Sequence, residues 1–172
     1  YWDTELLKLI ISQSRSKQIM DIIQMGLKNR TNVENHSIAG VGYLRAEDRD
    51  AIPEAADFML TEENVHTAIV YGIVRNDKNE EILIGSLRTN KYTLDPDEFI
   101  KTAFGKDITG HFFGGGKQSA GGFSVPIGFL SGDHNDKFTK LKWDVYDKQI
   151  RAKILTKIGV DPSLSIPDEE IS

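Results

Sequence analysis

The ten residues at positions 65–74, which read V-H-T-A-I-V-Y-G-I-V, constrain the fold of this chain more than any other segment. Almost all of them favour strands, and the run is apolar enough to lie at the centre of a sheet. A polar turn follows at residues 75–80, and residues 82–87 return as a second strand. The two runs together predict a β-hairpin at the core of the fold.

Helical patterns lie on both sides of this hairpin. Thr4 can cap a first helix, Ser14 or Ser16 can cap a second, and apolar residues recur at helical spacing over residues 136–157. Because helices alternate with strands and one pair of strands is a hairpin, the sequence predicts an α/β fold. We expect a mixed β-sheet of about five strands flanked by helices, with N-terminal helices and a long C-terminal helix.

The segment after the hairpin contains residues that typically begin and end a helix. Asp95 or Asp97 can cap a helix, and Gly105 can close it. The glycine-rich run comes next, and residues 123–130 are predicted to form a further strand.

Composition narrows the classes of protein that this chain can belong to. With 172 residues and a formal net charge of −5, the chain can build one well-formed core and is not a general coating protein for nucleic acid. A local phosphate site remains compatible with that charge. The absence of cysteine excludes disulfides and thiolate metal sites. No apolar run approaches the roughly 18 residues of a membrane span, so we expect a cytoplasmic protein without a membrane partner.

The glycine-rich run at residues 112–123 reads F-F-G-G-G-K-Q-S-A-G-G-F. Gly114, Gly115 and Gly116 lack β-carbons, so a ligand can approach their main chain closely, and successive N–H groups with Lys117 beside them can form an anion cradle. The alternative is a tight connection between a strand and a helix that binds nothing.

An arginine lies where the return strand of the hairpin ends. Arg88 has hydroxyl residues on either side of it in the sequence G-S-L-R-T-N, and a guanidinium can grip a phosphate with two hydrogen bonds. The alternative is a surface arginine that pairs with a nearby acid. If the strands before and after the glycine run are neighbours, Arg88 and Gly114 reach the same edge of the sheet.

Catalytic motifs are missing from the sequence. The four histidines are scattered, and His66 reads as a structural residue in a buried strand. His111, just before the glycine run, is the one histidine that we consider for ligand contact. Asn135 or Asp133 in D-H-N-D is more simply a helix cap than a metal ligand. Neither a nucleophile elbow nor a P-loop signature is present. The residues therefore indicate a ligand-binding α/β domain without a catalytic centre.

The order of these features resembles a known domain family. S-L-R-T at residues 86–89, a capped helix, and G-G-G-K-Q-S-A-G-G-F at residues 114–123 are similar to the C-terminal DHH-associated domain of DHH-superfamily phosphoesterases. The resemblance is good over residues 51–130.

The family's loop commonly reads G-G-G-H-x-x-A-[AS]-G. Residues 114–116, Ala120 and Gly122 match it, and Arg88 falls at the family's arginine position. Lys117 replaces the family's usual histidine. Lysine remains a cationic donor but cannot act as an imidazole base or metal ligand, so the substitution favours a binding role for this position.

The resemblance implies two domains with different roles. In the family, an N-terminal domain holds two manganese ions, and metal-activated water attacks a phosphodiester or phosphoanhydride bond, while the C-terminal domain holds the substrate. No motif of that catalytic domain occurs in this chain. We therefore expect two manganese ions in a catalytic DHH domain that is missing here, none in this chain, and no hydrolase activity of the chain alone.

The resulting expectation is a substrate-binding domain. Arg88 would grip a phosphate with help from Thr89, and Gly114, Gly115 and Gly116 would present N–H donors. Lys117 would add charge, and His111 would contact the ligand. The partner would be the missing catalytic domain, and the substrate a short oligonucleotide, a cyclic dinucleotide, a nucleoside phosphate or a polyphosphate.

Two other hypotheses stay open. The domain could be a non-catalytic regulatory or oligomerisation module with a structural glycine loop, forming a homodimer through apolar residues of the first two helices: Leu6, Leu7, Ile10, Ile19, Ile22 and Ile23. A complete metal-dependent hydrolase is the less favoured third. The predicted organisation is an N-terminal helical segment at residues 1–30, the DHH-associated domain at 31–160, and an acidic, disordered tail at 161–172.

Overall fold

A computed structural model describes residues 2–132 and 134–165, and within them it describes no side chain at positions 2–3, 8–16 and 164–165. The strands are β1 (Thr31–Val33), β2 (His36–Arg45), β3 (Thr67–Arg75), β4 (Glu81–Thr89), β5 (Gly114–Gly116) and β6 (Ala120–Pro126). The helices are α1 (Trp2–Asn29), α2 (Ala51–Met59), α3 (Pro96–Phe104) and α4 (Asp136–Ile158), with 3-10 turns at Ala46–Asp48, Gly128–Leu130 and Pro162–Ser165.

The strands form one six-stranded sheet in the order β1-β2-β3-β4-β6-β5. Only β2 and β3 run parallel, and every other neighbouring pair is antiparallel. The predicted mixed α/β fold and its central hairpin, β3–β4, are confirmed. The short strands β1 and β5 are additional. The strand predicted at residues 123–130 is β6, which begins earlier, at Ala120, and ends at Pro126 before the 3-10 turn at Gly128–Leu130.

The central strand β3 explains the layering, because its side chains alternate between two buried faces. Ile69, Tyr71 and Ile73 pack with α3 and α4 on one face. Ala68 and Val70 pack with α1 and α2 on the other. The sheet is therefore covered on both sides over β2 and β3, which fits the apolar run from which the fold was predicted.

The helix boundaries follow the capping residues. The Asp95 side chain accepts a hydrogen bond from the Asp97 N–H at 3.0 Å, and Gly105, with φ +72°, ends α3. Asn135 caps α4 in the same way through the Lys137 N–H. The caps predicted for these two helices are confirmed with Asp95 and Asn135.

The N-terminal region differs from its prediction. Residues 2–29 form one continuous helix, so Ser14 and Ser16 do not start a second helix. Ile23 is buried, and Ile19 and Ile22 pack against the same core cluster. These three residues are used inside the domain and are not part of a free dimer face.

Two remaining expectations concern the ends of the chain. Leu6 and Leu7 are exposed, whereas the Ile10 side chain lies outside the described part. Residues 162–165 form a 3-10 turn, and the remainder of the predicted disordered tail, residues 166–172, lies outside the described residues.

Candidate functional site

The strand that carries Arg88 and the glycine run meet at one edge of the sheet. Arg88 on β4 is opposite Ala120 on β6, and the Thr89 N–H donates to the Ser119 carbonyl at 3.0 Å. The run forms a tight β5–β6 hairpin, which the Lys117 N–H closes by donating to the Ala120 carbonyl at 2.8 Å. What the sequence indicated as a loop is therefore two paired strands with a turn at residues 117–119.

Arg88 lies on the sheet face that α1 and α2 cover farther along. Its Nε is 3.2 Å from Oδ1 of Asp57 on α2, and its Nη1 donates to the Leu87 carbonyl at 3.1 Å. The Arg88 side chain is 26% exposed and that of Asp57 is 62% exposed. The alternative considered for Arg88, pairing with a nearby acid, is thus observed, and the residue is still open to solvent.

Cross-strand partners on β4 and β6 share this face with Arg88. Ser86 is opposite Gly122, and Ile84, which packs against the α1 and α2 cluster, is opposite Ser124. Ala120 and Gly122 are half-buried and Ser124 is exposed. We call this surface the Arg88 face: Ser86, Arg88, Ala120, Gly122 and Ser124.

The glycines of the motif divide into two kinds. A β-carbon on Gly114 would lie well inside contact distance of the Gly122 carbonyl oxygen, and one on Gly115 would be 2.5 Å from an oxygen of Asp97. A β-carbon on Gly116 would be 2.7 Å from the Ala120 carbonyl oxygen. The packing of this domain therefore requires glycine on β5, whatever else the three residues do.

Gly122 is different. A β-carbon there would meet nothing nearer than the Gly85 carbonyl oxygen at 3.4 Å, and its φ lies outside the left-handed region. Neither packing nor backbone conformation calls for glycine at this position. Its bare backbone lies on the Arg88 face, where a ligand can approach it closely.

One of the N–H donors predicted on β5, that of Gly116, already has a carboxylate partner. The Gly116 N–H donates to Oδ1 of Asp97 at 3.0 Å, and the other oxygen of Asp97 is 2.8 Å from the Lys101 ammonium. Lys101 first and the Gly116 N–H second lower the pKa of Asp97. An internal anion thus occupies the Gly116 N–H, and the role of Gly114, Gly115 and Gly116 as a ligand cradle stays a prediction.

The Thr89 hydroxyl also has partners within the domain. It donates to the His66 carbonyl at 3.0 Å, accepts from the Lys91 N–H at 3.1 Å, and lies 2.9 Å from the Thr67 hydroxyl. Thr89 is 4% exposed. Its hydroxyl therefore holds together the ends of two strands, and its predicted contact with phosphate would require these bonds to change.

The two remaining predicted residues lie on different segments. Lys117 is exposed at the hairpin turn, beside the strand end. His111 is exposed in the preceding loop, where its Nδ1 lies 2.7 Å from the Thr109 hydroxyl and its backbone N–H donates to Oδ1 of Asp107 at 3.0 Å. The structure thus brings Arg88, Thr89 and the hairpin turn to one edge and gives His111 local loop contacts instead.

A groove at this edge contains residues that the sequence did not single out. It has a volume of about 470 Å³. We call it the tip groove, and it is lined by Thr89, Asn90, Lys91, Tyr92, Gln118 and Ser119. Tyr92 is fully exposed beside Lys91. In the sequence, the neighbouring Lys91 and Tyr92 just after the strand were the available indication of this groove.

Two histidines lie behind Thr89. The His36 and His66 rings meet edge to face with centroids 4.7 Å apart. Burial is the main cause that lowers the pKa of each, and Lys91 acts in the same direction on both. The lowered pKa values favour the neutral form of both side chains. His66 precedes β3 and is half-buried, so the prediction that it lies in a buried strand is wrong, but its Nδ1 is 2.7 Å from the Thr67 hydroxyl, which fits a structural role.

Within residues 2–132 and 134–165, no three His, Cys, Asp or Glu side chains come together in a way that could hold a metal ion. Over the same part of the chain, no helix combines the length and apolar character of a membrane span.

Sequence comparison finds a curated protein that is similar to this chain. No family model matches the chain. An uncharacterized protein of Methanocaldococcus jannaschii is 35% identical over 162 residues, which cover 93% of this chain and 30% of that protein. The chain therefore spans less than a third of the length of this curated relative.

Two solved structures are similar at low scores. One is a pGpG-specific phosphodiesterase of Vibrio cholerae, with a TM-score of 0.38, 12% identity, and coverage of 87% of this chain and 46% of that one. The other is the C-Ala domain of Aquifex aeolicus alanyl-tRNA synthetase, with a TM-score of 0.36, 18% identity, and coverage of 69% and 98%. At these scores neither likeness identifies a family.

Proposed function

We propose that this chain is the substrate-binding domain of a phosphoesterase similar to those of the DHH superfamily, and that it binds a phosphate group on the Arg88 face. The observation that carries the proposal is that Arg88 and Gly122 lie on the same solvent-accessible face of the sheet. Arg88 supplies a charged fork, and Gly122 is a glycine that the domain's own packing does not need.

The chemistry of this surface suits an anion with several oxygens. Of the five N–H groups of Arg88, one faces Asp57 and one donates to Leu87, so the outer edge of the guanidinium remains for a ligand. Ser124 adds an exposed hydroxyl on the same face. Lys117 and Lys91 lie at the adjacent sheet edge, where their charge would favour an anionic chain that extends past Arg88.

The reaction belongs to the longer protein of the proposal. There, two manganese ions held by a catalytic domain would activate water for attack on a phosphodiester or phosphoanhydride bond. This chain would hold the phosphate end of the substrate. Short oligonucleotides, cyclic dinucleotides, nucleoside phosphates and polyphosphates all present the group that Arg88 would bind.

Substitution of Arg88 tests the proposal. We expect Arg88→Ala to weaken binding of a 5′-phosphorylated trinucleotide or of inorganic tripolyphosphate by about 1.5–3 kcal/mol, because a hydrogen bond to a charged group is lost. Isothermal titration calorimetry of the 172-residue chain measures it.

The control for this experiment is Arg45→Ala, which removes an exposed arginine at the far end of β2 and should leave affinity unchanged. Equal affinities of the Arg88→Ala variant and the unsubstituted chain would remove Arg88 from the site. A chain that binds neither ligand would rule out the proposed function.

Subunit association is a second candidate function, which a specific surface favours. Five large apolar side chains around the start of α4 are about half-exposed or more: Phe129, Leu130, Phe138, Leu141 and Val145. Exposed apolar patches of this kind mark interaction sites. If two copies pair here, Leu141→Glu should convert a dimer to a monomer in analytical ultracentrifugation, with Leu6→Glu as the control on α1. A monomeric unsubstituted chain at high concentration would exclude this function.

A further inference from the structure

We propose that Asp57 is an internal competitor for the anionic ligand of Arg88, so that the carboxylate and the ligand phosphate exchange on the guanidinium. This inference rests on the proposed function of Arg88. It assigns a role to a residue of α2 that lies 31 positions away from Arg88 in the sequence.

The first argument is geometric. Asp57 reaches Arg88 from the side of α2 with one oxygen, 3.2 Å from Nε, and the Leu87 carbonyl holds Nη1 at 3.1 Å. These two contacts place the guanidinium on the Arg88 face in the absence of ligand. A phosphate that approaches over Gly122 meets an arginine that already has a carboxylate oxygen 3.2 Å from its Nε.

The second argument concerns strength. Carboxylate and phosphate both bind a planar edge of a guanidinium, and each prefers two parallel hydrogen bonds. Asp57 makes a single contact and its side chain is 62% exposed, so solvent screens the pair and a ligand can displace it. A phosphate that takes only the outer edge, with Asp57 still bound, is repelled by the carboxylate charge instead. In both cases Asp57 weakens ligand binding.

A consequence for function is that Asp57 helps Arg88 to return to its ligand-free state. When the ligand leaves, Asp57 again neutralises and orients Arg88, whose charge is then not left unpaired beside the sheet. Asp57 would thus limit affinity and speed release without contacting the reacting bond.

The decisive variant is Asp57→Asn, which keeps the size and shape of the side chain and removes its charge. We expect the 172-residue chain with this substitution to bind inorganic tripolyphosphate and a 5′-phosphorylated trinucleotide about two- to fivefold more tightly at low salt, which is the upper part of the range measured for exposed ion pairs. The gain should shrink in 0.5 M salt, because surface charges are then screened.

The matched control is Glu54→Gln, which removes the same charge from an exposed position one turn earlier on α2. Because Glu54 does not pair with Arg88, this substitution should change affinity by less than about 1.5-fold. Asp57→Glu should bind like the unsubstituted chain. In the Arg88→Ala background, Asp57→Asn should bring a smaller gain, because competition for Arg88 is then absent and only the direct repulsion between the carboxylate and the phosphate is removed.

Weaker or unchanged binding by Asp57→Asn would overturn the inference, since a carboxylate that positions Arg88 for the ligand predicts loss. If Arg88→Ala weakens binding while Asp57→Asn has no effect, the proposed function stands and only the competitor role fails. If the unsubstituted chain binds neither ligand, both fall together.

Discussion

Replacing Glu81 by alanine should lower the free energy of unfolding by about 3–5 kcal/mol, the cost of removing one partner from a buried ion pair. The Glu81 side chain is fully buried at the start of β4. Its oxygens lie 2.8 Å from Arg75 Nη2 and 2.8 Å from the Lys142 ammonium of α4. The Lys142 side chain is only 9% exposed, so without Glu81 its charge is left buried with the Leu130 carbonyl as its remaining partner among the described residues.

Urea denaturation at pH 7 measures this loss. The control is Glu80→Ala, because Glu80 is the preceding residue, is exposed, and should change stability by less than about 0.5 kcal/mol. A loss below about 1 kcal/mol for Glu81→Ala would show that the ion pairs of Glu81 do not hold α4 to the sheet.

The pH dependence of Glu81→Gln provides an independent check. Burial alone would raise the pKa of Glu81, but the hydrogen bonds from Lys142 and Arg75 outweigh it and the pKa is lowered. A carboxyl group whose pKa is lower in the folded state contributes stability above its unfolded pKa, about 4.3, and loses that contribution as the pH falls through the folded pKa. The stability gap between the unsubstituted chain and Glu81→Gln should therefore narrow below about pH 4.3.

Local sequence patterns predicted the elements of this fold well. The apolar run of β3, the Asp95 cap of α3 and the Asn135 cap of α4 each depend on residues close together in the chain, and each was found where the pattern indicated. The continuous helix α1 was not predicted, because serine residues that favour a cap can also lie within a helix whose other face packs on a sheet.

The site depends on contacts that no local pattern contains. That Arg88 and the glycine run share a sheet edge followed from the order of the elements. The contact between Asp57 and Arg88 depends instead on how α2 crosses β4, and the difference between Gly114 and Gly122 depends on which side of the hairpin faces the protein. The five glycines of the run look equivalent in the sequence, but the fold leaves them different amounts of space for a β-carbon.

Because Gly114 is tightly packed and Gly122 is not, alanine substitutions at these two positions should have different effects on stability. A β-carbon on Gly114 collides with backbone atoms of Gly122 and Phe123, which cannot rotate away as a side chain would. We expect Gly114→Ala to lower the free energy of unfolding by about 3 kcal/mol, at the upper end of the cost of overpacking. Because β5 must then separate from β6, hydrogen exchange should also rise in the hairpin.

Gly122→Ala should behave in the opposite way. The added β-carbon makes only an ordinary van der Waals contact, with the Gly85 carbonyl oxygen at 3.4 Å, and an alanine loses less backbone entropy on folding, so the free energy of unfolding should be unchanged or raised by about 0.4–1 kcal/mol. On the Arg88 face the same methyl group stands where a ligand would approach, so affinity for tripolyphosphate should fall about tenfold or more, which is about 1.4 kcal/mol. A Gly122→Ala variant that is stable and binds like the unsubstituted chain would move the ligand off this face and toward the tip groove.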